Sequence, residues 1–209
     1  MQELVFIAND FSIPMALVDF IPVILFGIGI IVLFSCLADK MSKIQFALFS
    51  TGSINVFIAG LLKATYKLLY ASNVCDFQAL TNMFFPVQSI GFLLAGIAIF
   101  SYVIKNKKNK ALSVAPVLFE GTFLFVGLMC TGLALLEFAL CVIAKRLNKI
   151  STIILFIVSF VCSLCMGYLS SQDFEKAIFN WIAEIVNICG QGTFLIGVLI
   201  LKKNGLKNI

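Results

Sequence analysis

The sequence predicts an all-α polytopic integral membrane protein, and three observations carry that reading. Of 209 residues, 61% are hydrophobic and 12% charged, where a soluble domain is close to half apolar and a quarter charged. The mean hydropathy of +1.09 leaves too few polar side chains to cover a water-soluble fold. The apolar residues run continuously instead of alternating, which argues against a β-barrel. Soluble globular, disordered and nucleic-acid-binding proteins are excluded together. A crossing takes roughly 20 apolar residues, so six or seven crossings fill the chain as a single transmembrane domain, 1–209.

The first twenty residues carry Glu3, Asp10 and Asp19 and no basic residue. A cleaved secretory signal would start with a positive region and end in a small-residue site. The first apolar run therefore reads as a retained anchor, with the N-terminus outside and Asp19 at the interface.

Six apolar segments follow in order, over 14–38, 44–69, 84–104, 112–144, 150–169 and 178–201. All four prolines, Pro14, Pro22, Pro86 and Pro116, fall early in a segment, where a missing N–H costs a helix least. Asp173 reads as the N-cap of the last helix. Trp181 and Tyr168 read as interfacial anchors, with Lys202 and Lys203 closing the other end.

The fourth segment is long. Its 33 residues make about 50 Å of helix against a hydrocarbon core of about 30 Å, so it is one tilted helix or two short ones. Six crossings leave the basic residues evenly divided between the two faces. Seven crossings, in a three-one-three plan, leave only Lys63, Lys67 and Lys176 on one face and twelve on the other, as the positive-inside rule prefers. The stretch from Gly127 to Gly132 offers no polar turn, and on that ground six is the expected count. A weak internal likeness supports repeats over 14–104 and 112–203. Leu37–Ile44 resembles Ile143–Ile150, and Gly91–Ile97 resembles Gly192–Val198. Repeats of this kind are a transporter plan with substrate between the halves.

Polar groups inside a bilayer each need a reason. Asn180, Glu184, Asn187 and Gln191 step by four, three and four, which puts them on one helix face. A polar packing seam would give such a face; four groups in register favour a water- or solute-lined surface. On the second helix Thr51, Asn55, Ala59 and Lys63 step by four. Lys67 reads as snorkelling to the interface, whereas Lys63 is deeper and expected to share a site with Glu184. Glu120 and Glu137 on the fourth segment and Gln88 on the third complete the candidate solute-binding set. The ridge Ser159, Ser163 and Gly167 suits close helix contact. The run Lys105–Lys110 reads as a topology signal.

Other chemistry is thinly supported. With no histidine, histidine-ligated zinc or haem and Ser-His-Asp triads are excluded. No lysine lies between Lys176 and Lys202, which excludes a retinal Schiff base on the last helix. Six of the seven cysteines lie in apolar segments and read as small hydrophobes, the pair Cys162 and Cys165 included. No catalytic residue, metal or cofactor is expected. The expected function is a small-solute transporter or channel with a polar site between the second, fourth and sixth helices. The alternative is a solute-binding or partner subunit of a larger membrane complex, with an intramembrane enzyme a distant third. Expected partners are membrane lipid, a small polar solute and a second copy or partner subunit, with no nucleic acid. The expected location is a cell membrane, multi-pass, of the bacterial plasma-membrane kind.

Overall fold

The computed structural model describes residues 12–104, 122–169 and 177–208. Glu3, Asp10, the Lys105–Lys110 run, Pro116, Glu120, Asp173 and Lys176 lie outside them, as does the side chain of Tyr168. The described residues are helical: α1 (Ile13–Val18), α2 (Phe20–Leu37), α3 (Lys43–Ala71), the short α4 (Ala79–Asn82), α5 (Phe84–Ile104), α6 (Thr122–Arg146), α7 (Ile150–Leu169) and α8 (Ala177–Lys203). Five stretches are long and apolar enough to cross a membrane: Ile13–Leu37, Lys43–Ala71, Ala79–Ile104, Leu124–Arg146 and Phe179–Lys203. A shorter apolar helix covers Ile150–Met166. The chain is thus an all-α, multi-pass membrane protein.

Local chemistry explains where these helices begin and end. Pro22 lacks the N–H that would bond the Val18 carbonyl, and its ring crowds that carbonyl, so the first helix breaks at Asp19, between α1 and α2. Ser42 caps α3 in a capping box. Gln45 N–H donates to Ser42 Oγ at 3.3 Å, and Ser42 N–H donates to Gln45 Oε1 at 3.1 Å. Asn148, at φ 55°, takes the left-handed conformation that ends many helices. Lys149 N–H then reaches the Ala144 carbonyl at 2.9 Å, and α7 starts at the next residue. α6 runs unbroken through Gly127–Gly132, the stretch that lacks turn chemistry.

Each main helix packs on its neighbours in sequence, and α8 closes the ring by packing on α2. Outward positions are apolar: Ile24, Ile28, Ile31, Ile54, Ile58, Ile154, Ile157 and Ile185 are all exposed, as a lipid-facing surface requires. α3 is antiparallel to α2 and to α5. α6 is not antiparallel to α5. Ser89 Oγ on α5 donates to the Phe125 carbonyl on α6 at 2.7 Å. Further along, Gly96 meets Gly132, the Phe100 and Phe138 rings lie 6.0 Å apart, and Arg146 Nη2 donates to the Val103 carbonyl at 2.7 Å. Numbers rise together along both helices, so α5 and α6 are parallel. Ile104 and Thr122 therefore stand at opposite ends of the bundle, whereas consecutive crossings in a six-span plan alternate in direction.

Glycine pairs set the two closest interfaces. A Cβ on Gly52 would lie 2.5 Å from the Ala95 nitrogen and 2.6 Å from the Gly91 oxygen. Gly96 and Gly132 face each other so closely that a Cβ on either meets the other helix's backbone. Backbone cannot swing aside as a side chain can, so Gly132→Ala forces α5 and α6 apart. The expected loss is about 1–3 kcal/mol, as for overpacking, read as a lower melting temperature in detergent. Gly127→Ala, with open space around the new methyl, is the matched control and leaves melting unchanged or raised.

Candidate functional site

α8 presents Asn180, Glu184, Asn187 and Gln191 inward at the spacing read from the sequence, with Asn180 and Glu184 buried. From Asn180 to Gln191 the face descends about 16 Å at the helical rise. It forms one wall of a cavity of about 650 Å³ to which every main helix contributes. The opposite walls are Val56, Gly60, Lys63 and Lys67 on α3, and Phe84, Gln88 and Phe92 on α5.

The strongest interaction in the cavity is an ion cluster. Lys67 Nζ lies 2.6 Å from Asp19 Oδ2 and 2.8 Å from Glu184 Oε1. The break at Pro22 places Asp19, and α3 brings Lys67 to the same end of the bundle. An ammonium between two carboxylates shares the cost of burying each charge. Lys63, one turn deeper, has its Nζ 4.3 Å from the centroid of the Phe84 ring, a cation–π contact. Among the described residues no carboxylate oxygen lies within 4 Å of it. At the rim, Tyr66 Oη donates to Asp76 Oδ1 at 3.1 Å, tying the loop after α3 to the helix.

The sequence-derived set divides. Lys63, Gln88, Asn180, Glu184, Asn187 and Gln191 line the one cavity. Asn55 does not. Each four-residue step drifts about 40° around a helix of 3.6 residues per turn, so Asn55 is turned about 80° from Lys63. The face that does line the cavity, Val56, Gly60, Lys63 and Lys67, alternates four and three and stays in place. Glu120 lies outside the described residues. α6 gives the cavity the apolar side chains Val126, Met129 and Leu133, and its Glu137 sits deeper, against a separate small void. Lys63 and Glu184 both line the cavity, but the ion-pair partner of Glu184 is Lys67. Asp19 is a buried member of the cluster. Its signal in the sequence was Pro22, three residues on; that of Lys67 was its step of four from Lys63.

The cavity is closed below. Phe26 stacks on Phe194 with centroids 5.8 Å apart and meets Phe92 edge-on at 6.2 Å. Beneath this layer Leu33, Leu37, Phe49, Ile99, Leu140, Ile143 and Leu201 are fully buried. Comparison with known protein families, with curated proteins and with solved structures finds no match.

Removing one member of the cluster strands the others. Lys67→Met is expected to cost about 3–5 kcal/mol, the range for breaking a buried pair. The triple change Lys67→Met, Asp19→Asn and Glu184→Gln is expected to cost less than Lys67→Met alone. Melting temperatures of the four purified variants, the single changes included, check this, and strict additivity would contradict it.

Proposed function

We propose that this chain is a small-solute membrane transporter that holds its solute in the charged cavity between α2, α3, α5 and α8. The observation that supports this most is the concentration of polar groups. Lys63, Gln88, Asn187 and Gln191 converge on one volume of about 650 Å³, a size typical of small-molecule sites. It is surrounded by helices whose outer faces are apolar. Lys63 offers the solute a cation that no carboxylate among the described residues contacts, and the amides offer donors and acceptors. Phe57, Phe84, Phe85 and Met129 suit an apolar body.

The membrane arrangement in this reading has seven crossings. In this reading the parallel α5 and α6, which put Ile104 and Thr122 at opposite ends of the bundle, imply one further crossing between them. Lys40, Lys43, Lys145, Arg146, Lys149, Lys202, Lys203 and Lys207 then share one end of the bundle. By the positive-inside rule that end is cytoplasmic, and the cavity faces the opposite side. The three helices before the crossing and the three after it run in the same order of directions, which favours parallel repeats over inverted ones. The closed aromatic floor also suits a second reading, a solute-binding subunit that hands its cargo to another chain.

Thermal-shift screening of the purified protein against small anions, cations and neutral polar solutes tests the site. Lys63→Gln is expected to weaken the best binder about ten- to a hundredfold, the equivalent of a charged hydrogen bond. Uptake of that solute into proteoliposomes supports the transporter; binding without uptake supports the subunit. Cysteines placed at Ser12 and Lys207 in a cysteine-free background are expected to label from opposite sides of intact membranes. Labelling from one side would restore an even number of crossings.

A further inference from the structure

Below the aromatic floor the bundle holds a second polar site, built around Glu137. This carboxyl is 4% exposed. It lies fifteen residues into α6 and nine from its end, about 14–22 Å from either terminus at the helical rise, near the middle of a crossing. Ser159 Oγ on α7 donates to Glu137 Oε1 at 2.7 Å. Oε2 is buried and has no hydrogen-bond partner among the described residues. Neither ion pair among those residues involves Glu137. A carboxylate in the bilayer interior without a counter-charge is expensive, and such a residue calls for a functional partner.

The space beside it indicates what that partner is. A void of about 10 Å³ is bounded by Glu137 on α6, Ser159 and Ser163 on α7, and Gln191 on α8, with Phe26, Phe92 and Phe194 among its apolar walls. That volume admits one water-sized particle. The polar groups around it offer oxygen: a carboxylate, two hydroxyls and an amide carbonyl. The Ser159 proton is engaged on Glu137, which leaves the hydroxyl's lone pairs as donors. Oxygen donors suit hard cations, and a single carboxylate balances a single positive charge. Among the described residues no group of three or more acidic or thiol ligands gathers here or elsewhere, as a divalent site would favour.

We infer that the void between α6, α7 and α8 is a sodium-ion site, with Glu137, Ser159, Ser163 and Gln191 as its oxygen ligands. Gln191 and Ser163 also line the main cavity, so ion and solute share two side chains. Occupation of the ion site orients those side chains for the solute, which makes sodium the coupling ion. The site itself stands independently of the transport reading; the coupling role rests on it.

The test uses purified full-length protein in detergent at fixed pH and ionic strength. Melting is followed while choline chloride is replaced by sodium, potassium or lithium chloride, and radioactive sodium binding is measured directly. The expected result is a saturable rise in melting temperature with sodium, at most weakly shared by potassium. Glu137→Gln abolishes both the rise and sodium binding, and Ser159→Ala weakens the apparent affinity about tenfold. If Glu137→Gln does not fold, Glu137→Asp keeps the charge, retracts the oxygens, and is expected to shift the sodium midpoint upward. The inference is overturned if sodium and choline give the same melting curve, or if the sodium effect survives Glu137→Gln. The series is repeated at several fixed pH values; a stabilisation that follows acidity alone, in choline as in sodium, also overturns it and makes Glu137 a proton site. Sodium binding with no solute uptake leaves the ion site standing and removes the transport reading.

Discussion

A lysine ammonium held between two carboxylates inside an apolar bundle is the interaction on which the arrangement of the other helices depends. Lys67 joins α3 to Asp19, at the break before α2, and to Glu184 on α8. These are the first, second and last helices of the ring, and the ring closes only because α8 returns to α2. Apolar contact alone discriminates weakly between helix partners, since lipid tails are as apolar as the side chains they replace. Charges do discriminate, because each of the three is costly in hydrocarbon unless it meets the others. The cluster therefore selects the closed ring over other packings of the same apolar helices.

Given that closure, the bundle has two unlike halves. At the cluster's end the helices stand apart around polar groups and phenylalanines. At the basic end they meet through Leu33, Leu37, Phe49, Ile99, Leu140, Ile143 and Leu201, all fully buried. Glycine contacts keep α3 close to α5 and α5 close to α6. α3 belongs to both arrangements, with Gly52 against α5 and Lys67 in the ion cluster with Asp19 and Glu184.

How much of this was legible follows from the kind of signal involved. The helix limits were visible because apolar runs and early prolines are local. The inward face of α8 was visible because four polar residues fall at helical spacing. The ion cluster is not legible in the sequence, for the opposite reason. Asp19 and Lys67 each sit near a helix end, where a charge can equally reach water, and only the fold brings them to Glu184, 117 residues beyond Lys67. Steps of four look like one face over two turns and drift off it over three, which is why Asn55 does not share the face of Lys63. The direction of α6 could not be read locally, since an apolar helix reads alike in both directions. α6 itself runs unbroken through Gly127–Gly132, in keeping with the absence of turn residues there.

The parallel run of α5 and α6 also bears on what separates the main cavity from the small void. Phe92, one turn before Gly96 on α5, lies in the floor between the main cavity and the void. The Gly96–Gly132 contact fixes the height of that turn against α6, on which Glu137 sits little more than one turn further along. The floor on this side is therefore rigid. On the other side Phe194 belongs to α8, three residues beyond Gln191, and its ring lies against Gly29 of α2. Phe194 stacks on Phe26 of α2, and Glu184 reaches α3 through Lys67, so the ion cluster at the top of α8 and the aromatic floor near its middle both fix α8 against its neighbours.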